Sequence, residues 1–250
     1  MTGLTNSIKF LKTYLEVIEG KIDQTMLKFD VGVKEYEKFV EKSEKYTFRA
    51  LVVPSSMVGY VVSITKYPVV GVVGFPYGYY PLASKLEEIR YCARNGAREV
   101  DAVLNLINLR SKNIKEVRSE VKELVKEAHN HGLKIKLIIE TSILSDSEIV
   151  DVSKIIMEEG ADYIKTNTGY GSRGVLIKDV VLIKEVVGDK IGIKAAGGIR
   201  SAIDAAILLY FGADVLGTSK GIEISEEARR LLNSLKTHVS SSLNELNLIS

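Results

Sequence analysis

The chain has 250 residues, 46% hydrophobic and 26% charged, which is enough for one sizeable core, and 34 Lys and Arg against 32 Asp and Glu leave a net charge of +2. That balance, without any block of like charges, argues against a nucleic-acid-binding or membrane-surface protein. Cys92 is the only cysteine, so no intrachain disulfide can form and a thiolate metal site is not expected; with no secretory apolar core near the N-terminus, the chain is predicted to be cytoplasmic.

Residues 1–19 carry spaced apolar residues and predict a helix ahead of the main fold. Apolar, β-branched runs then recur eight times, at Lys21–Thr25, Arg49–Val53, Val69–Phe75, Glu99–Asn105, Lys134–Glu140, Tyr163–Thr166, Ile191–Ala195 and Val215–Thr218, with helical periodicity between them. This alternation is the pattern of a parallel α/β protein, and eight units close a (β/α)8 TIM barrel with an extra N-terminal helix. An open doubly wound sheet would use the same grammar, but no G-x-G-x-x-G follows the first run and the strands are too many for it. Tyr67–Ala83 is the longest uncharged run; Pro68, Gly74, Pro76 and Gly78 break it, and it is too short to span a membrane. Asn113–His131 places Ile114, Val117, Val121, Leu124, Val125 and Ala128 on one stripe and stops at Gly132. Ser84 with Glu87, and Ser145 with Glu148, have capping-box spacing, and Gly96, Gly160 and Gly212 sit where helices should end. The expected organisation is a single domain over 1–250, with the barrel at 20–235, its last outer helix at Ile222–Leu235, and a polar, partly mobile tail at Lys236–Ser250.

In a barrel the C-terminal strand ends surround one mouth, so residues distant in sequence converge there. Strand one supplies Asp23 and Thr25, strand four Asp101 and Asn105, strand six Lys165 and strand seven Lys194, while Thr168 lies in the small-residue turn after strand six. Strand parity puts Asp101, Val103 and Asn105 on one face, and Tyr163, Lys165 and Asn167 on another. Two lysines at neighbouring strand ends disfavour each other's charge, and a neutral amine is a nucleophile towards carbonyls. A single lysine at a strand end is more often solvated; the pair, with an acid on another strand, points to imine chemistry. Lys136, near the start of strand five, is expected at the opposite end of the barrel and without a role. His129 and His131, at a helix C-terminus, read as solvated. With His238 they are the only histidines, so a histidine-held metal is not expected.

The loops after strands seven and eight look built for an anion: Gly197 and Gly198 lead towards a helix near Ser201, and Gly217, Thr218 and Ser219 follow the last strand. Arg200 could add charge there or simply begin an exposed helix. The plain alternative is that these glycines only make tight turns.

IDQTMLK (22–28), VGFPYG (73–78), EVDAVLN (99–105), KLIIET (136–141), YIKTNTG (163–169), IKAAGGIR (193–200) and ADVLGTSKG (213–221) together resemble, in order, the deoxyribose-phosphate aldolase family, from about Lys21 to Ile224. The resemblance implies a class I aldolase that reversibly cleaves 2-deoxy-D-ribose 5-phosphate to glyceraldehyde 3-phosphate and acetaldehyde, with no cofactor and no metal. It makes Lys165 the Schiff-base lysine, Lys194 the cation that keeps it neutral, and Asp101 a member of a proton relay through water. It pairs Asp23 with the second lysine and puts Thr25 near a substrate hydroxyl; Asn105 and Thr168 are taken as further substrate contacts. Gly169, Gly197, Gly198, Gly217 and Ser219 would cradle the phosphate; Arg200 and Lys220 stand beside them by position, Lys220 either strengthening phosphate binding or altering its geometry. Gln24 and Asn167 depart from the family's usual histidine and serine, Lys220 from a common serine, and the last tyrosine, Tyr210, is too early to act as a C-terminal active-site tyrosine. An aldolase or transaldolase acting on another phosphosugar, and a non-catalytic phosphosugar-binding barrel, remain alternatives. Barrels of this type often form dimers or tetramers, and the sequence leaves the oligomeric state open.

Overall fold

The computed structural model describes residues 2–247, with side chains described over 9–235. Eight parallel strands close a barrel in sequence order: β1 Ile22–Thr25, β2 Ala50–Pro54, β3 Val69–Val73, β4 Glu99–Val103, β5 Lys134–Ile138, β6 Tyr163–Lys165, β7 Gly192–Ala196 and β8 Val215–Thr218. Each lies within two residues of its expected run. Four strands stop short of the expected C-terminal end, β6 by one residue and β3, β4 and β5 by two, and at these last three the chain turns into the mouth loops: Gly74 and Glu140 adopt positive φ, and Asn105 becomes a helix cap.

The alternation of strand side chains sorts the core into two parts. Leu51, Val53, Val69, Val100, Ala102, Ile135, Leu137, Ile164, Ile193 and Leu216 point outward and join one continuous apolar layer beneath the helices. Ala50 and Val52 of β2 form a separate apolar group with Val70 and Val72 of β3. These face the barrel interior and fill only its β2–β3 side. The interior faces of β1, β4, β5, β6 and β7 carry Asp23, Glu99, Asp101, Lys136, Lys165 and Lys194 instead, each 9% exposed or less.

The outer helices are α1 Thr2–Val17, α2 Val33–Ser43, α3 Val58–Ile64, α4 Leu82–Arg94, α5 Leu106–Arg110, α6 Ile114–Asn130, α7 Asp146–Glu158, α8 Ile177–Val187, α9 Ala202–Tyr210 and α10 Gly221–Asn247. On α6, Val117, Val121, Leu124, Val125 and Ala128 are buried as the stripe predicts, each burial of a large aliphatic side chain contributing about 1.5–3 kcal/mol. Ile114, at the first turn, stays exposed. Gly96, Gly132, Gly160 and Gly212 all take positive φ just past a helix, a geometry that favours a residue without Cβ. The N-terminal helix α1 packs against α9 and α10. Helix α10 runs on to Asn247, past the expected end at Leu235. Residues 248–250, and the tail side chains from 236 onward, lie outside the described residues. Among the described residues, no helix is long and apolar enough to cross a membrane.

The expected box at Ser84 does not form. Helix α4 starts three residues earlier, with Pro81 at its N-cap and no side-chain cap, because the fixed φ of proline opens the helix ahead of the serine. The box at Ser145 does form: its hydroxyl accepts from the Glu148 N–H, and the Glu148 carboxylate accepts from the Ser145 N–H at 2.8 Å. Ser145→Ala is therefore expected to lower stability by about 1 kcal/mol, read as a lower urea midpoint with an unchanged m-value.

Candidate active site

A cavity of about 790 Å³ opens at the C-terminal end of the barrel, a size suited to a small ligand. Lys165 lies on its floor, and its walls are the loops after β1, β6, β7 and β8. Thr25, Thr168, Gly169, Gly197, Gly198, Arg200, Gly217, Ser219 and Lys220 all line it, so the structure brings these expected residues together around one lysine. Asp101, Lys194 and Asp23 form the layer beneath.

The β6–β7 register sets Lys165 directly beside Lys194. Lys165 Nζ donates to Asp101 Oδ2 at 2.9 Å, and Lys194 Nζ donates to the same oxygen at 2.7 Å and to Asp23 Oδ2 at 2.6 Å. The pairing of Asp23 with the second lysine is as the family resemblance implies. The Lys165 amine is lowered to about 8, first by burial and then by Lys194 and Lys136, against the opposing pull of Asp101. Desolvation therefore outranks the like-charge repulsion that the sequence emphasises. Burial raises the carboxyls of Asp101 and Asp23, but Lys136, Lys165 and Lys194 hold Asp101 well below the usual range, and Lys194, Lys136 and Arg49 hold Asp23 low.

Lys136 is the clearest correction to the sequence reading. It is fully buried in register with Asp101, donates to Asp101 Oδ1 at 3.0 Å, and pairs with Glu99. The signal was present in the strand: Ile135, Leu137 and Ile139 face the helices, so Lys136 between them must face inward. Asn105 is the second correction. Strand β4 ends at Val103, so parity no longer carries to position 105, and the Asn105 side chain caps α5 by accepting from the N–H groups of Ile107 and Asn108. It lines a separate recess with Tyr79 and Glu120 rather than the main cavity.

Several further residues shape the mouth, and two of them, Glu140 and Tyr170, carry no sequence signal. Glu140, at positive φ and 2% exposed, accepts from the Thr168 N–H and hydroxyl at 2.9 and 2.7 Å, so it ties the loop after β6 to the end of β5. That bond also commits the Thr168 hydroxyl. Asn167 accepts from the Thr141 hydroxyl and the Ser142 N–H and donates to the Ala196 carbonyl, bonds that a serine is too short to span together. Gln24 accepts from the Gly221 N–H at 3.0 Å, fixing the start of α10 at the cavity edge. Tyr170 reaches across the mouth to the Leu27 carbonyl at 2.7 Å and sets its ring edge on Phe75, whose own ring lies beside the Lys165 ammonium. Gly169, Gly197 and Gly198 all take positive φ, so the loops after β6 and β7 use backbone geometry that larger residues resist. Lys220, on the rim, is paired with Glu223 at 2.7 Å.

Fold and site together define a (β/α)8-barrel enzyme organised around a buried amine. The model of the DeoC/LacD family of aldolases matches residues 9–227, and the chain belongs to that family. It is 38% identical over 217 residues to the deoxyribose-phosphate aldolase of Caldanaerobacter subterraneus subsp. tengcongensis, covering 85% of this chain and 94% of the relative. Against that of Thermococcus kodakarensis it is 38% identical over 216 residues, covering 83% and 95%. Among solved structures, it matches the tetrameric deoxyribose phosphate aldolase of Aeropyrum pernix with a TM-score of 0.80 at 29% identity, over 89% of this chain and 97% of the other.

Asp23 has two short ion pairs, to Lys194 and to Arg49 Nη1, both at 2.6 Å. Asp23→Asn leaves the buried Lys194 and the half-buried Arg49 each short of a partner and is expected to destabilise the fold by about 3–5 kcal/mol in denaturant titration.

Proposed function

We propose that the chain is a class I aldolase that reversibly cleaves 2-deoxy-D-ribose 5-phosphate to glyceraldehyde 3-phosphate and acetaldehyde. The observation that carries this reading is the Lys165 amine on the cavity floor, sharing one Asp101 oxygen with Lys194 beneath loops rich in positive-φ glycine. The same reading is supported by family membership and by relatives named deoxyribose-phosphate aldolase.

The Lys165 amine attacks C1 of the open-chain sugar, and loss of water from the carbinolamine gives a protonated imine. Asp101 lies at hydrogen-bond distance from Lys165 and exchanges protons with it through water during these steps. A base takes the C3 hydroxyl proton, the C2–C3 bond breaks, and its electron pair moves into the iminium to leave an enamine. Glyceraldehyde 3-phosphate departs, C2 is protonated, and hydrolysis releases acetaldehyde and the free lysine. The phosphate sits against Gly169, Gly197, Gly198 and Ser219, with the start of α10 and the Arg200 and Lys220 side chains at its edge. Thr25 faces the same cavity, where it can meet a substrate hydroxyl. Asp23 acts from below by holding Lys194. The chain is proposed to act in the cytoplasm as a homo-oligomer, dimer or tetramer; a tetramer is described for the Aeropyrum pernix protein.

A phosphosugar-binding barrel without chemistry is the second reading. Binding alone gives no reason to place a second ammonium and a shared carboxylate under Lys165. Borohydride reduction with deoxyribose 5-phosphate, and separately with acetaldehyde, is expected to fix an adduct on the Lys165 peptide in both cases. No adduct on folded protein that still binds the sugar phosphate would favour the binding barrel. Lys165→Met is expected to lower turnover by about 10⁴-fold or more while binding persists.

The neutral amine is the attacking form, so kcat/KM should rise with pH through about 8 and level off above it. At pH 7 about a tenth of the amine is then neutral, against about one part in 3,000 for an ordinary lysine. An acid limb found near the ordinary lysine value would count against the assignment.

A further inference from the structure

Lys136 touches no part of the cavity, yet it holds the other oxygen of the carboxylate that Lys165 and Lys194 share. Its ammonium donates to Asp101 Oδ1 at 3.0 Å, pairs with Glu99 Oε2, and lies 3.9 Å from Asp23 Oδ2. Arg49, just ahead of β2, closes the layer from below with Asp23 Oδ1 at 2.6 Å and Glu99 Oε1 at 2.5 Å. Strands β2 and β3 add only Ala50, Val52, Val70 and Val72 to the interior, and Gly217 of β8 adds no charge. On β6 the ring of Tyr163 lies beside Lys136 and Arg49. Glu140, at the end of β5, is committed to Thr168 and Ser142.

The charge count among the described residues then has a consequence. Three carboxylates, Asp23, Glu99 and Asp101, face four cations when Lys165 is protonated and three when it is neutral. A cluster largely withdrawn from water disfavours an unmatched charge. Lys165 is the member able to shed it: its ammonium pairs with one carboxylate, whereas Lys194 pairs with two and Lys136 with three.

We propose that Lys136, held by Glu99, is a positioning residue of this active site: it anchors Asp101 by Oδ1 and supplies the cation that makes neutral Lys165 the charge-balanced state. The inference rests on the Schiff-base reading of Lys165. Removing Lys136 makes protonated Lys165 the balanced form, so the enzyme needs a higher pH to free the amine. Removing the charge of Glu99 does the opposite, and removing both restores the balance.

The test compares the native chain with Lys136→Met, Glu99→Gln and the double variant, measuring kcat/KM for deoxyribose 5-phosphate against pH and checking the Lys165 adduct by reductive trapping. Ionisation of the substrate phosphate is common to all four proteins and cancels in the comparison. The acid limb is expected to move up by about one pH unit in Lys136→Met, down by about as much in Glu99→Gln, and back to the native position in the double variant. Should Lys136→Met fail to fold, Glu99→Gln and the double variant decide the matter alone. A limb that stays in place, or moves the same way in both single variants, while the native chain still traps substrate on Lys165, overturns the inference and leaves the aldolase reading intact. Absence of a Lys165 adduct in the native chain overturns both.

Discussion

One carboxylate, Asp101, is shared by three buried ammonium groups, and much of the interior is arranged around the need to sustain that contact. Each ion removed from water carries a penalty of several kcal/mol, offset only when its partners are close and its hydrogen bonds complete. The barrel meets this condition by gathering its ions on neighbouring strands. Asp23, Glu99, Asp101, Lys136, Lys165 and Lys194 line one side of the interior, while the β2–β3 side is packed with alanine and valine. The ions are nearly all buried, so their pairs act in a medium where they are stronger than in water. Removing any one charge therefore alters the balance among those that remain.

The same arrangement separates a rigid floor from walls built of loops. The floor is fixed by strand register, which no loop conformation can alter: Lys165 stands opposite Lys194, and Asp101 opposite Lys136. The walls depend on tethers, chiefly Glu140 and Asn167, which bind the loop after β6 to the ends of β5 and β7. The amine is thus placed by strands, while the cavity walls above it are backbone turns. Tyr170 links the two by spanning from the wall to Leu27 and resting on Phe75 above the amine.

The departures from the family pattern find structural reasons in these tethers. Gln24 is long enough to reach the Gly221 N–H, and Asn167 to bridge two neighbouring strand ends. Lys220 is neutralised by Glu223 at the rim. None of the three hydrogen-bonds to the ion cluster; their bonds shape the walls of the cavity and its rim.

The sequence by itself determined the number and order of the strands, the burial stripe of α6, the box at Ser145 and the convergence of Lys165, Lys194, Asp101 and Asp23. All of these follow from local periodicity, capping chemistry, or the rule that strand ends share one mouth. It could not show that Ser84 lies inside a helix opened by Pro81, that Asn105 has left its strand to cap α5, or that Glu140 reaches back to Thr168. Each of those depends on where an element stops or on a contact between distant loops. Lys136 marks the boundary most clearly. Its inward direction was legible in the alternation of strand five, but its partners were set by the register of β4 against β5, and register is fixed only when the whole barrel closes.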